Sequence, residues 1–157
     1  MAGSSGYLYV VRLVPTAITA AKTLIQVVGG AAPFDVVKAT VSQVTKSTSE
    51  MLRIQLLRKT AVATVTAFTP LLTNPADPTS LAIGGTSATG VNATAEGTNG
   101  DVLEDEVWNI LNGTWSYLPI PEGRKRAAQA GNLALVLITA PAASMTIGAM
   151  IEIIEYR

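Results

Sequence analysis

Glu104-Asp105-Glu106 is an acidic cluster whose alternation puts Glu104 and Glu106 on one face of an extended segment. Paired carboxylates of this kind can bind calcium or divide acid and base work between them. No further oxygen ligands stand at loop spacing around them, so the pattern favours a solvated strand edge or an ion pair with a neighbouring subunit. Arg124-Lys125-Arg126 is the basic counterpart, a set of donors suited to phosphate or to an acidic protein patch. Eleven basic and eleven acidic residues cancel, and there is no second basic cluster. Without a global field, contact with an acidic patch on a neighbour is favoured over nucleic acid. Trp108, Trp115 and Tyr117 flank Asn112-Gly113 and can stack on a sugar, but their alternation favours core or interface packing.

The 157 residues include no cysteine and no histidine. That composition removes thiol nucleophiles, Ser-His and Cys-His pairs, imidazole bases and nearly all zinc, copper and non-haem iron sites. The expectation is a protein that is not an enzyme and has no cofactor and no metal. Cupin-like chemistry is set aside on the same ground, since cupin metal sites lean on histidine. Hydrophobic residues make up 48% and charged ones 14%, below the usual quarter, which implies a surface covered by partners. Asn92-Ala93-Thr94 and Asn112-Gly113-Thr114 match the glycosylation sequon, a pattern that arises by chance in Thr-rich loops. The segment Met1 to Gly6 is uncharged and Arg12 interrupts the apolar run behind it, which argues against a secretory signal. No stretch approaches the roughly 20 apolar residues of a membrane span, so the chain reads as soluble, with no membrane partner.

The elements that must carry these residues are short β segments broken by turns. Met145 to Ile153 is apolar at every odd position, the period of a half-buried strand. Leu133 to Thr139 is apolar on both parities and needs cover on two faces; Ala140 to Ser144 suits a hairpin turn between the two runs. Other strands are expected over 7–14, 23–28, 34–44, 51–58, 61–68, 91–95, 102–111 and 114–120. The segment 51–58 also fits helical spacing, and its short length and β-rich neighbours favour strand. Asn112-Gly113 is expected to turn a hairpin, and 71–100 to be largely irregular. About eight strands with turns near every ten residues indicate an all-β fold, a jelly-roll sandwich of antiparallel strands, with an immunoglobulin-like sandwich as competitor. The expected division is an N-terminal arm over 1–21 and a jelly-roll domain over 22–157.

Leu56-Leu57-Arg58-Lys59-Thr60, Thr69-Pro70, Asp77-Pro78, Gly113-Thr114-Trp115 and the closing Ile153-Ile154-Glu155 resemble small jelly-roll proteins of tailed-bacteriophage virions, over roughly residues 22–155. The resemblance implies a capsid decoration or cement protein, commonly a trimer, bound to the major capsid protein on the virion surface. The extended N-terminal segment departs from that pattern. The expected interface residues are Tyr7, Tyr9 and Val10 on the arm, Arg124, Lys125 and Arg126 in the basic cluster, and Ala134, Val136 and Ile138 on the surplus apolar face. The alternative is a carbohydrate- or receptor-binding jelly-roll module of a phage fibre.

Overall fold

A computed structural model describes residues 6–157. Twelve strands form two antiparallel sheets packed face to face. In chain order they are β1 (Gly6–Ile18), β2 (Lys22–Val28), β3 (Phe34–Gln43), β4 (Met51–Ala61), β5 (Thr64–Ala67) and β6 (Leu71–Leu72), then β7 (Gly90–Ala95), β8 (Thr98–Asn109), β9 (Trp115–Tyr117), β10 (Lys125–Ala127), β11 (Asn132–Leu137) and β12 (Met145–Tyr156). The first sheet runs β10-β3-β12-β1-β6, with β9 also paired to β3; the second runs β5-β7-β2-β11-β4-β8.

Setting aside the short β5, β6 and β7, the eight remaining positions are β1, β12, β3 and β9/β10 facing β2, β11, β4 and β8. Each successive main position lies in the opposite sheet except across the β4 to β8 connection. That interleaving of two Greek keys is the jelly-roll arrangement. It corrects two expected hairpins. β11 and β12 do not pair: β11 lies between β2 and β4, and β12 between β1 and β3. Both runs are apolar enough to be central strands, so each takes the middle of its own sheet. Asn112-Gly113 likewise carries the chain from β8 in one sheet to β9 in the other, with Gly113 at φ 83, where a side chain is strained.

The N-terminal segment is also corrected. From residue 6 onward it is a full member of its sheet, paired to β12 from Gly6↔Tyr156 to Ile18↔Met145. Tyr9, Val11, Leu13 and Ile18 are buried in the main core. The ladder slips between Leu13 and Thr16, where Pro15 supplies no N–H. The arm boundary at 21 therefore does not hold for 6–18, and residues 1–5 lie outside the described residues.

The core lies between the sheets. β12 gives Met145, Ile147, Ala149, Ile151 and Ile153; β11 gives Leu133, Leu135 and Leu137; β4 gives Leu52, Ile54 and Leu56. At roughly 1.5–3 kcal/mol for each large apolar side chain fully buried, this inner layer supplies most of the drive to fold.

The outer face of the second sheet has its own cover. β4 and β5 stand four places apart, about 19 Å at ordinary strand spacing, yet only Val62 and Ala63 join them. Glu96 and Gly97 alone join β7 to β8 across the same gap. Two residues cannot span that distance in the plane. The β4–β8 ribbon therefore leaves the sheet plane, helped by register shifts between Leu56 and Ala61, and arches over β11. Gly97 sits at its crown, where any side chain would collide with the Ala61 and Val62 carbonyls.

Candidate functional site

The residues named by the sequence divide among several surfaces. On the outer face of β11, Ala134 is 0% and Val136 3% exposed within a single chain. They cluster with Leu57, and the half-buried Ile138 packs against them. Glu96 reaches over from the arch to accept hydrogen bonds from the Thr23 N–H (2.7 Å) and hydroxyl (2.6 Å) on β2. Gln26 ties the neighbouring strand down: its amide donates to the Ala88 carbonyl (2.6 Å) and accepts from the Ala63 N–H (2.8 Å). The expected interface at Ala134 and Val136 is therefore closed by the protein's own chain. Ile138 is the most exposed of that trio, and with Val136 it lines a cleft of about 420 Å³ beside Lys22, Glu96 and Asn99.

The basic and acidic clusters meet each other. Lys125 on β10 and Glu104 on β8 pair at 2.8 Å, linking the edge of one sheet to the edge of the other. The Glu104 hydrogen bond holds the Lys125 ammonium above the ordinary lysine value. Arg126 forks onto Asp35 at 2.6 and 2.9 Å, and the Tyr156 hydroxyl donates to the same carboxylate at 2.8 Å. The Arg126 guanidinium also lies 4.9 Å from the Tyr156 ring centroid. Burial pushes the Asp35 carboxyl up, but the Arg126 and Tyr156 hydrogen bonds and the Arg126 charge outweigh it and hold it below the usual range. Asp105 pairs with Arg53, whose Nε donates at 2.7 Å, and Glu106 accepts the Trp115 indole N–H at 2.7 Å. The three carboxylates thus serve three different partners, and Lys125 and Arg126 are engaged inside the chain rather than offered to a neighbour. Arg124 is half-buried, its Nε without a hydrogen-bond partner among the described residues.

The aromatic residues turn inward. Trp108 and Trp115 are 4% and 6% exposed. The Trp108 indole donates to the Gly113 carbonyl at 2.9 Å, and the Tyr117 hydroxyl to Gly123 at 3.0 Å. Of core or interface packing, the reading the sequence favoured, these rings take core packing, Tyr117 half-buried against the core. Tyr9 is also internal, its hydroxyl donating to Pro78 at 2.7 Å, and burial raises its pKa. Tyr7 and Val10 are half-buried, Tyr7 beneath the Arg157 guanidinium at 5.5 Å.

Several large apolar side chains stay exposed among the described residues, Val44, Met51 and Val107 among them, and two groupings stand out. Leu118 and Ile120 are 75% and 70% exposed, on the loop after β9 where Pro119 and Pro121 stiffen the backbone. The outer face of the first sheet carries the exposed Val14 and the half-buried Leu8, Val10, Met150 and Ile154. The Leu118 loop was not among the expected sites. Its sequence signal is a pair of large apolar residues alternating with prolines, Leu118-Pro119-Ile120-Pro121, where a ladder lacks two N–H donors.

No protein-family model and no curated protein sequence matches this chain. Among solved structures, a chain from an expanded equine rhinitis A virus particle, a picornavirus capsid, is similar over 95% of this chain and 67% of its own, at 11% identity and a TM-score of 0.31. The jelly-roll assignment stands on the strand order itself.

Proposed function

We propose that this chain is a structural virion protein, a capsid decoration or cement protein that seats between subunits of the major capsid protein at the virion surface, as a homotrimer. The observation that carries the reading is the Leu118-Pro119-Ile120 loop, which holds two large apolar side chains in solvent at 75% and 70% exposure. Apolar groups presented on a stiff loop lose little entropy on docking and gain from every square ångström removed from water. A trimer sets three such loops against a symmetric site, so modest contacts add through effective concentration. The jelly roll is an architecture used for viral capsid proteins and lectins alike, and does not by itself choose between them. Against the carbohydrate-binding alternative stand Trp108 and Trp115, whose rings are buried and whose N–H groups are already bonded.

The test is co-sedimentation of the purified protein with shells assembled from the major capsid protein alone. Wild type should pellet with the shells, and a Leu118→Ser/Ile120→Ser variant with unchanged melting should bind about tenfold or more weakly. Equal binding by that variant would remove the loop from the account, and specific binding on a glycan array would favour the fibre module.

A further inference from the structure

Lys59 is the one lysine whose side chain is fully sequestered among the ion pairs of the described residues, at 0% exposure. It sits under the arch of the β4–β8 ribbon. Its ammonium donates to the Asn99 carboxamide oxygen at 2.8 Å and lies 3.4 Å from the Glu96 carboxylate. Lys59 and Asn99 are directly opposed in the β4–β8 ladder, so the backbone fixes their approach. Asn132 holds that backbone from the other side, accepting from the Lys59 N–H at 2.7 Å and donating to its carbonyl at 3.0 Å. Glu96 is pinned in turn by two bonds from Thr23. An ammonium has three donors, and charge-assisted bonds to carboxylates normally lie near 2.7–2.9 Å. The Lys59 ammonium is enclosed while the Glu96 side chain is 39% exposed, and at 3.4 Å their contact is longer than that norm.

We infer that Lys59 and Asn99 join in an intramolecular isopeptide bond, with Glu96 as proton carrier. The Glu96 carboxylate takes a proton from the Lys59 ammonium, leaving a neutral amine beside an amide carbon held in register. The amine nitrogen forms a bond to Asn99 Cγ, and the tetrahedral intermediate collapses as its C–N bond to the original carboxamide nitrogen breaks. The carrier passes that proton and then a second one from the attacking nitrogen to the original carboxamide nitrogen, which leaves as ammonium. The product is a neutral secondary amide between two strands, with no oxidant, reductant or added reagent. It replaces a desolvated charge by an amide and welds the crown of the arch. The step happens once per chain and is a self-modification, independent of the partner that the protein binds.

Intact mass spectrometry of the folded full-length protein, then denatured, tests this. Wild type should be lighter than its sequence mass by one ammonia, and digestion should yield one branched peptide joining Lys59 to Asn99. Lys59→Arg, Asn99→Ala and Glu96→Gln should each show their full sequence mass, Glu96→Gln with Lys59 and Asn99 both present and unjoined. Wild type at full sequence mass would overturn the inference without recourse to any variant. So would an ammonia loss mapped to a succinimide at Asn112-Gly113 with Lys59 free.

Discussion

The two sheets bury their inner faces against each other in the same manner, yet their outer faces are finished differently. Outside the second sheet, the β4–β8 ribbon folds back so that Leu57, Ala134 and Val136 are buried; Thr23 and Gln26 are 0% exposed, Thr23 bonded to Glu96 and Gln26 to the backbone of Ala63 and Ala88. Outside the first sheet nothing in the described chain arches over β1 and β12, and Val14 stands 58% exposed beside half-buried Leu8, Val10, Met150 and Ile154. A strand apolar on both faces announces that a second cover exists, and it does not say whose chain provides it. Here the more apolar strand, β11, is covered from within, while the face with weaker patterning and the Leu118 loop stay open in the described chain.

The largest expected effect separates the two faces by charge. Val136→Glu puts a carboxylate under the arch, where an unpaired buried charge costs about 3–5 kcal/mol, whereas Val14→Glu on the open face should change stability by about 0.5 kcal/mol or less. Urea midpoints of the two variants measure the contrast, and similar midpoints would show that the faces do not differ.

A smaller effect concerns the pair that ties β10 to β3. Asp35 titrates below its ordinary value in the folded chain, so its contribution is complete above the unfolded carboxylate value of about 3.9 and is lost as pH falls through the lower folded value. Asp35→Asn should cost about 1–2 kcal/mol at neutral pH, discounted because the Arg126 side chain is 59% exposed, and should flatten the acid limb of the stability profile below about pH 4. Denaturant melts of both proteins from pH 7 to pH 2 read this directly; parallel profiles would remove Asp35 from the acid response. The smallest effect on folding belongs to the Leu118→Ser/Ile120→Ser variant, within about 0.5 kcal/mol, since those side chains touch solvent rather than core.

What the sequence discloses follows from how local each signal is. The alternation in β12 is legible because burial there is strictly of period two, Met145 to Glu155 inward and the residues between them partly out. The inward parity of Tyr9, Val11 and Leu13 is written in the same way, but an edge-adjacent strand at the start of a chain looks like an arm until its partner β12 is known. Asn112-Gly113 lies at the end of a turn that residues 109–112 close with an Asn112 N–H to Asn109 carbonyl bond, one residue pair earlier than the dipeptide suggests, and a turn dipeptide carries no information on which sheet the next strand enters. The start of β8 at Thr98 is hidden because Thr98 to Asp101 has no large apolar residue. Lys59, Glu96 and Asn99 give no local sign at all: 37 and 40 residues separate Lys59 from its two partners, and only the arch brings them together. Arg124-Lys125-Arg126 and Glu104-Asp105-Glu106 are legible as clusters, but their mutual pairing depends on sheet edges that only the fold aligns.

The central claim, that the apolar outer face of β11 is closed by its own chain while the Leu118 loop is open, can be tested with a thiol probe, since the protein has no cysteine. Single Val136→Cys and Ile120→Cys variants are exposed to a thiol reagent over a dilution series that takes any oligomer to monomer. The account predicts that the thiol at 136 stays protected at every concentration and reacts only on unfolding, while the thiol at 120 reacts at once in the free protein. Reactivity at 136 that rises on dilution to that of an unfolded control would contradict it, because the cover would then belong to a second copy.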